Sequence, residues 1–301
     1  MKNVIVTGAN GFIGSTFIVK LVELGIRVVA IDVSFASSRI PEDNLVVKIE
    51  SDLNDIEKIT SLLPDWKYDA FYHFAWHGVN GADKANPTVQ LNNIQLAINC
   101  ADIVKNIGCD KYLCAGTIAE QSVNSLPGLA NINGGMMYGV AKHCTHLMLE
   151  AYCKSIDVSF VWMQFSNIYG VGNRTGNLVS YTLGELLGGK EATFGPAAQP
   201  YDFIYVDDLL EAVYRLGKES TRQSAYYIGS GSPRILKEYI LQIGELCGMK
   251  DKIAIGVRPD DGIIYDFSMF NTADLVHDVG KYVTTSFENG ILKTIDWLKS
   301  E

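Results

Sequence analysis

Val4-Ile-Val-Thr-Gly8-Ala-Asn-Gly11-Phe-Ile-Gly14 is the stretch of this sequence that decides the fold. It begins with apolar, β-branched and uncharged residues, which are typical of a buried strand in a parallel sheet. The glycines at 8, 11 and 14 then allow a sharp turn into a helix, because a side chain there would obstruct the turn or the close approach of a ligand. The apolar spacing of Phe17–Leu24 predicts that this helix continues. Its N-terminus would present free N–H groups and the positive end of a helix dipole, which suits a pyrophosphate.

The second predicted strand, Arg27–Asp32, ends in an acid. The acid lies about 20 residues beyond the glycine turn, near the spacing of the carboxylate that binds an adenine ribose. Strand, turn, helix, strand and acid in this order favour a dinucleotide site over a purely structural turn. Asp32 would accept hydrogen bonds from the ribose hydroxyls and repel a 2′-phosphate, so NAD is favoured over NADP. Arg39 is the argument for NADP, although a solvated loop cation is its more ordinary interpretation.

Composition and charge limit the classes of protein to consider. The chain has 301 residues, of which 48% are hydrophobic, enough for a large core or for a main domain with a smaller lobe. A net charge of −9, with scattered lysines and arginines, argues against a nucleic-acid or membrane partner. The first strand begins close to Met1 and no apolar run reaches transmembrane length, so we expect neither a signal peptide nor a membrane span. The six cysteines lack the spacing of metal ligands, so we expect a reduced, cytoplasmic protein without a metal site.

Two further strands are predicted to end at the same edge of the sheet. After Leu45–Ile49 comes Ser51-Asp52-Leu53, where Asp52 is a candidate for the adenine amino group. Capping of a helix over 55–63 is an equally favoured interpretation of Asp52. The next strand ends in the small Ala75, which permits close approach of a cofactor. Trp76 follows in a loop and is predicted to line a substrate pocket.

Three side chains together indicate an acid/base site. Thr117 follows the predicted strand Lys111–Ala115, at the edge where open α/β sheets bind ligands. Tyr138 and Lys142 begin a predicted helix that runs to about Tyr152, and their spacing places phenol and ammonium on one face. A tyrosine ordinarily has a pKa near ~10, and a neighbouring ammonium and an oxidised nicotinamide ring would lower it. Each feature alone has a structural explanation, so the inference rests on their combination.

The motifs follow a recognisable order: Gly8-x-x-Gly11-x-x-Gly14, Asp32, Asp52-Leu53, His73-Phe-Ala75, Thr117 and Tyr138-x-x-x-Lys142. In this order the chain resembles the extended short-chain dehydrogenase/reductase family, and within it the sugar-nucleotide epimerases, dehydratases and reductases. Asn167-Ile-Tyr-Gly170 and Asp202–Asp208 extend the resemblance over nearly the whole chain. It implies a homodimer formed through the helices 89–107 and 136–152.

βα alternation and the resemblance together predict a doubly wound, Rossmann-type parallel sheet of about seven strands with a small C-terminal α/β lobe. Residues 1–170 are expected to form the dinucleotide-binding domain, and 171–301 mainly the substrate-binding lobe. Two later segments, Asp202–Val206 and 225–229, are predicted strands. We interpret them as strands of the small lobe, although sheet elements of the main domain are also expected over about 202–229.

The resemblance also implies roles for individual residues. Tyr138 would exchange a proton with a sugar hydroxyl or ketone, Thr117 would hold the same oxygen, and Lys142 would bind the nicotinamide ribose and tune Tyr138. The candidate cofactor residues are Gly8, Gly11, Phe12, Ile13, Gly14, Asp32, Asp52, Leu53, Phe74, Ala75, Asn93 and Lys142. The candidate residues for a nucleotide-sugar substrate are Trp76, Asn167, Asn177, Tyr201 and Arg258, of which Arg258 would pair with the diphosphate.

The residues after Thr117 narrow the reaction. Family 4,6-dehydratases carry an Asp-Glu pair there, because elimination of water needs a further acid and base. This chain has Ile118 and Ala119, which cannot transfer protons, and Glu120 lies one place too late. Enzymes that epimerise at C3 and C5 carry a cysteine where Ala119 stands. We therefore expect redox at C4, in a 4-epimerase or a 4-ketosugar reductase.

Two departures keep other functions open. Tyr201 and Gln164 stand where the family usually has arginines, although Arg174 is close enough in sequence to supply a charge. One alternative is therefore a reductase of a carbonyl substrate without a nucleotide. A non-catalytic protein that senses dinucleotides is another, and the presence of both Tyr138 and Lys142 argues against it.

Overall fold

The secondary structure of the protein is that of an alternating α/β chain. The computed structural model describes residues 1–128, 132–260 and 265–300. The strands are β1 Asn3–Thr7, β2 Arg27–Asp32, β3 Val46–Glu50, β4 Ala70–His73, β5 Tyr112–Thr117, β6 Phe160–Phe165, β7 Asn167–Tyr169, β8 Ala192–Phe194, β9 Pro200–Tyr201, β10 Phe203–Tyr205, β11 Ala225–Ile228, β12 Arg234–Ile235 and β13 Ile253–Ile255. The α-helices are α1 Phe12–Glu23, α2 Ile56–Leu62, α3 Pro87–Asn106, α4 Met137–Ser155, α5 Leu178–Leu187, α6 Val206–Lys218, α7 Leu236–Leu246, α8 Ala273–Val279 and α9 Phe287–Ser300.

The main sheet has seven strands in the order β11-β6-β5-β4-β1-β2-β3. All neighbouring pairs in this sheet are parallel. β1 pairs with β2 on one side and with β4 on the other, so the direction of strand order reverses beside it. A crevice at the carboxyl ends of the strands is expected at such a reversal. The predicted doubly wound parallel sheet of about seven strands is thus confirmed.

Helices cover both faces of this sheet, which explains the uncharged sequence of β1. All five β1 residues are buried. Val4 and Val6 belong to a core cluster that includes Phe17 of α1, whereas Ile5 belongs to a second cluster that includes Ala97 of α3. Successive side chains of a strand point to opposite faces, so each face of β1 contributes to one of the two cores.

The second half of the chain adds three small sheets. β7 pairs with β10, β8 with β13, and β9 with β12. β11 pairs instead with β6 and forms the edge of the main sheet, so the segment 225–229 is not a strand of the small lobe. Its position depends on pairing with a strand about 60 residues earlier in the chain, which a local pattern does not encode. Over the described ranges, no helix is both long and apolar enough to cross a membrane.

Candidate active site

The glycine turn brings β1, α1 and β4 into close backbone contact. Gly8 has a φ of +65°, and a Cβ built on it would lie 2.6 Å from the backbone nitrogen of Ala75. A Cβ on Gly14 would lie 2.1 Å from the carbonyl oxygen of Gly8. Neither distance is possible for a real side chain, so both positions require glycine. A side chain at Gly8 or Gly14 would therefore clash with the protein's own backbone, whether or not a ligand is bound.

Helix α1 begins directly after this turn. Its N-cap residue is Gly11, and no side chain caps this N-terminus. The first turn of a helix has N–H groups without partners inside the helix, and here they belong to Phe12, Ile13 and Gly14. This end of α1 is therefore suited to bind a negatively charged group.

A cavity of about 560 Å³ opens at the carboxyl edge of the sheet, beside the glycine turn. Nine of the candidate residues line it: Gly8, Gly11, Asp32, Asp52, Leu53, Phe74, Ala75, Trp76 and Asn93. The structure thus brings residues from four parallel strands and from α3 around one space. An elongated polar ligand of dinucleotide type fits such an arrangement.

Asp32 lies at one end of this cavity. Its Oδ2 accepts a hydrogen bond of 2.9 Å from the N–H of Asn10, and its Oδ1 accepts one of 2.8 Å from the N–H of Val33. A carboxylate oxygen can accept two hydrogen bonds, so each oxygen of Asp32 can accept a further one from a ligand hydroxyl. Arg39 lines a different cavity, where its guanidinium lies 3.5 Å from the carbonyl oxygen of Gly172.

Asp52 and Asn93 also form contacts within the protein. Asp55, not Asp52, is the N-cap of α2, so the alternative interpretation of Asp52 as a helix cap was wrong. Asp52 instead accepts a hydrogen bond of 2.8 Å from the N–H of Asn54 and lines the cavity. Asn93 accepts a hydrogen bond from the N–H of His77 and donates one to its carbonyl, at 2.9 and 2.8 Å. Asn93 therefore holds the loop that forms one wall of the cavity.

Thr117 and Tyr138, far apart in sequence, meet beyond the end of β5. Their side chains lie close enough for Thr117 to influence the pKa of the Tyr138 phenol. Helix α4 can approach this closely because Gly139 has no side chain. A Cβ at this position would lie only 2.7 Å from the carbonyl oxygen of Ala119. Burial raises the pKa of Tyr138 to about 12, and the neighbouring Thr117 side chain opposes that rise. A base of this kind needs a nearby positive charge to function near neutral pH.

Lys142 lies one turn further along α4 than Tyr138, and only 3% of its surface is exposed. Its Nζ donates to the carbonyl oxygen of Ala115 at 2.6 Å and lies 3.7 Å from the centroid of the Trp76 ring. Burial lowers the pKa of Lys142 to about 8, while the Glu120 carboxylate raises it. The ammonium is thus stabilised by a carbonyl dipole, an aromatic face and an acid.

Trp76 connects the cavity with these groups. Its ring packs edge to face against Tyr138, with centroids 6.1 Å apart, and its Nε1–H donates to Gln90 at 3.0 Å. The indole therefore lies where the cavity meets the Tyr138 phenol. The sequence predicted Trp76 as a pocket wall, and its contact with Lys142 is an additional finding.

Glu120 is the residue of this region that sequence reasoning undervalued. It is 3% exposed, and its Oε1 accepts a hydrogen bond of 2.6 Å from the N–H of Thr117. Burial raises the pKa of Glu120 to about 7, against the hydrogen bonds and the Lys142 charge that lower it. The available signal was an acid that follows a buried strand after only two uncharged residues, Ile118 and Ala119, and sequence reasoning related this acid only to elimination chemistry.

Three of the candidate substrate residues form hydrogen bonds with neighbouring groups of the protein. The Tyr201 hydroxyl donates to Oδ1 of Asn167 at 2.9 Å, and Nδ2 of Asn167 donates to the carbonyl of Asp202 at 3.1 Å. Asn177 is the N-cap of α5, and its Nδ2 donates to the carbonyl of Ile168 at 2.8 Å. These contacts hold the strand β7 against the start of α5.

Arg258 lies farther from the catalytic candidates, beside α5. Its Nη2 donates to the hydroxyl of Tyr181 at 2.6 Å, and its Nε donates to Oγ1 of Thr193 at 2.7 Å. It lines a cavity of about 310 Å³ together with Leu178 and Gln199. Sequence reasoning did not identify Tyr181 and Thr193, because nothing in their local sequence indicates contact with a residue so distant in the chain.

The match to a family model decides the classification. Residues 4–229 match the family described as NAD dependent epimerase/dehydratase. The chain belongs to this family. It is therefore an NAD-dependent enzyme of the extended short-chain dehydrogenase/reductase type.

Similar proteins resemble the chain over its whole length. A putative UDP-glucose 4-epimerase from Methanocaldococcus jannaschii is 22% identical, covering 99% of this chain and 98% of the relative. The UDP-glucose 4-epimerase of Thermotoga maritima, solved with UDP-glucose, has a TM-score of 0.81 at 20% identity and covers 99% of both chains. A dTDP-glucose 4,6-dehydratase from Bacillus anthracis, solved with NAD, has a TM-score of 0.82 at 18% identity, covering all of this chain and 97% of that one. At these identities the structural similarity establishes the fold.

The residues present fit the NAD of this family. Asp32 offers carboxylate oxygens for ribose hydroxyls, and the uncapped N-terminus of α1 offers N–H groups for the pyrophosphate. Lys142 and Tyr138 lie beyond Trp76 at the other end of the cavity. When bound, NAD supplies the hydride chemistry, whereas the protein supplies orientation and the movement of protons.

Proposed function

We propose that this enzyme catalyses NAD-dependent oxidoreduction at C4 of a nucleotide-linked sugar, as a 4-epimerase or a 4-ketosugar reductase. The close approach of the Tyr138 and Thr117 side chains, with Trp76 packed against Tyr138, is the observation that carries the proposal. A sugar hydroxyl at this position would lie within reach of both oxygens. Tyr138 would take or return its proton, and Thr117 would hold the oxygen.

Lys142 makes the Tyr138 phenol a usable base. Its ammonium, held by Ala115 and Trp76, places a positive charge one helical turn from the phenol. An ammonium at this distance favours phenolate over phenol, which offsets the raised pKa caused by burial. We assign to Lys142 a second contact, with the nicotinamide ribose, as the family resemblance implies.

Elimination of water is not supported as the reaction. The two residues after Thr117 are Ile118, which is buried, and Ala119, and neither side chain transfers protons. The Glu120 carboxylate follows them, but its side chain is 1% exposed and turned to the protein interior. A 4,6-dehydratase would need a further acid and base in contact with the sugar.

The proposed substrate class rests on the second half of the chain. Arg258 presents a guanidinium beside a cavity of about 310 Å³, and such a group suits a diphosphate. Tyr181 and Thr193 hold its side chain in place. The Thermotoga relative was solved with UDP-glucose, which is a ligand of this class. Asn167, Asn177 and Tyr201 are proposed to contact the sugar or the diphosphate.

Mass spectrometry of the purified protein after denaturation tests the proposal first. A 4-epimerase returns the hydride to the same substrate, so we expect it to release tightly bound NAD. A 4-ketosugar reductase exchanges its cofactor, so we expect an empty protein that binds added NADH. C4 inversion or reduction is then followed by NMR on UDP- and dTDP-linked hexoses. Loss of water from these sugars, or no reaction with any of them, would contradict the proposal.

We also propose that the enzyme is a homodimer through α3 and α4. The Tyr152 hydroxyl ties the two helices together by donating to Asp102 at 2.6 Å. Both helices expose large apolar side chains, with Leu91 66% exposed and Leu147 56% exposed. Such side chains are costly in water unless a partner covers them.

If α3 and α4 form the dimer contact, a charge placed on their exposed apolar surface should separate the two chains. We expect Leu147→Glu to reduce the native mass, measured by light scattering, from about two chains to one, because a buried unpaired carboxylate is strongly unfavourable. Leu292→Glu is the matched control, since Leu292 is an exposed leucine of α9, and it should leave the mass unchanged. A wild-type protein of one chain mass would rule out the dimer.

A further inference from the structure

The Glu120 carboxylate lies behind Thr117, inside the protein. Its Oε1 accepts from the N–H of Thr117 at 2.6 Å, and its Oε2 accepts from Nε1 of Trp162 at 3.0 Å. Nε2 of Gln164 lies 3.5 Å from the same Oε2. Glu120 can approach β5 this closely because Gly116 has no side chain. A Cβ on Gly116 would lie only 2.7 Å from Oε1 of Glu120. The end of β5 is thus built around a buried acid.

All three of these partners are N–H donors, and this favours a charged carboxylate. An ionised carboxylate is an acceptor only, whereas a protonated one carries an O–H that would face a donor. Burial of a charge is costly unless hydrogen bonds and an opposite charge compensate it. The hydrogen bonds come from β5 and β6, and the opposite charge comes from α4.

α4 presents three titratable groups toward Glu120. Lys142 is the cation among them: its Nζ lies 5.9 Å from the centroid of the Trp162 ring, whose Nε1–H donates to Glu120, and its charge lowers the pKa of Glu120. The pKa of Tyr138 is raised by the Glu120 charge. Nδ1 of His146 lies 3.9 Å from Oε2 of Glu120, but burial lowers the pKa of His146, so this ring is neutral near pH 7. On β5, the buried Cys114 thiol has a pKa raised to about 12 and stays protonated.

We propose that Glu120 is a positioning residue for the reaction: its ionised carboxylate fixes Thr117 through the backbone N–H and acts as the buried counter-charge that keeps Lys142 protonated. The inference rests on the proposed function and deepens it. Glu120 does not reach the substrate itself, because its side chain is 1% exposed and directed at Thr117 and Trp162. Glu120 acts through Thr117 and Lys142, the two groups that assist proton transfer by Tyr138.

Glu120→Gln is the direct test, because it removes the charge at nearly constant volume. The amide also places an NH₂ group against one of the N–H donors, which loosens Thr117. We expect kcat to fall by about 10- to 100-fold, since hydrogen bonds to charged groups are worth about 1.5–3 kcal/mol. The KM for the sugar nucleotide should change by less than about threefold, because none of the contacts proposed for the sugar or the diphosphate involves the Glu120 side chain.

The pH profile of kcat distinguishes this role from a merely structural one. Burial places the Glu120 pKa at about 7, so wild-type kcat should fall below about pH 7 as the carboxylate takes up a proton. The fall should be absent in Glu120→Gln and retained, at lower kcat, in Glu120→Asp. Gln164→Arg adds a cation beside Oε2 and should move the fall to lower pH by about one unit.

His146→Gln is the matched control, because it removes a different titratable group beside Trp162, whose ring stacks on His146 with centroids 5.0 Å apart. This variant should retain the fall. Loss of the fall in His146→Gln rather than in Glu120→Gln would overturn the proposal. An unchanged kcat and pH profile in Glu120→Gln would overturn it as well.

A measurement without substrate separates this inference from the proposed function. Titration of ¹³Cε-lysine resonances by NMR, with Lys142 assigned by its loss in Lys142→Met, follows the ammonium directly. We expect the Lys142 pKa to fall by about one unit or more in Glu120→Gln, because an opposite charge has been removed. If the pKa is unchanged, Glu120 is not the counter-charge. If wild type lacks turnover while this shift is present, the proposed function fails and the counter-charge stands.

Discussion

Replacement of Tyr138 by phenylalanine is expected to lower kcat by about 10²- to 10⁴-fold, the usual contribution of a positioned acid or base. Phenylalanine keeps the ring that packs against Trp76 and removes only the hydroxyl proposed to transfer the proton. NAD affinity, measured by calorimetry, should therefore stay within about threefold of wild type. The loss should appear in kcat and kcat/KM together, because the proton moves only in the transition state.

Tyr152→Phe provides the matched control for this variant. It makes the same chemical change on the same helix, and its hydroxyl contacts Asp102 rather than the candidate active site. It should keep kcat within about twofold. A Tyr138→Phe protein with nearly full turnover would show that another group transfers the proton. Binding of NAD by wild type without any turnover, unaffected by Tyr138→Phe, would instead favour a dinucleotide sensor.

Local sequence was sufficient for the first βαβ unit and for placing Tyr138 and Lys142 on one helix. The strand β1, the glycine turn and the helix α1 are encoded by side-chain period and by the space that a Cβ would need at Gly8 and Gly14. The spacing of Tyr138 and Lys142 encodes a shared helix face in the same local way. For this reason the sequence predicted the first strand, turn and helix, and it named nine of the residues that line the cavity beside the glycine turn.

Contacts between distant residues account for what the sequence did not predict. Trp162, which donates to Glu120, is 42 residues further along the chain, and the cation of the pair lies on α4. Tyr181 is 77 residues from Arg258. A buried acid is recognisable only when its donors are known, and periodicity does not reveal them. The position of β11 at the edge of the main sheet has the same origin.

Short-range capping posed a different difficulty. Asp52 and Asp55 both precede α2, and either could accept an N–H at a helix start. Asp55 accepts from the N–H of Lys58, whereas Asp52 accepts within the preceding turn. Helix α2 begins at Ile56, one residue after the predicted start at 55, and its N-cap is Asp55, three residues after Asp52. This small shift leaves Asp52 on the cavity wall.

Replacement of Lys142 by methionine is expected to lower kcat by about 10- to 100-fold, because it removes a charge-assisted contact of about 1.5–3 kcal/mol. Methionine keeps an unbranched apolar chain against Trp76, so packing changes little. Unlike Tyr138→Phe, this variant should also weaken NAD binding, since we assign the ammonium to the nicotinamide ribose. Lys154→Met, on the exposed end of the same helix, should change neither quantity. Full turnover in Lys142→Met would contradict the role given to this ammonium.

The pH dependence of stability provides a second test of the same residue. Burial lowers the folded-state pKa of Lys142 to about 8, below its ordinary value of 10.5. Between these values the unfolded chain holds the proton and the folded protein does not, so the free energy of unfolding rises with pH across this window. Lys142→Met lacks the group and should lack this rise. Thermal unfolding of both proteins at about pH 8 and about pH 10 measures the difference, and equal pH dependence would show that the ammonium is not strained by burial. Since the same deprotonation removes the positive charge beside Tyr138, wild-type kcat should decline above about pH 8, over the range in which stability increases.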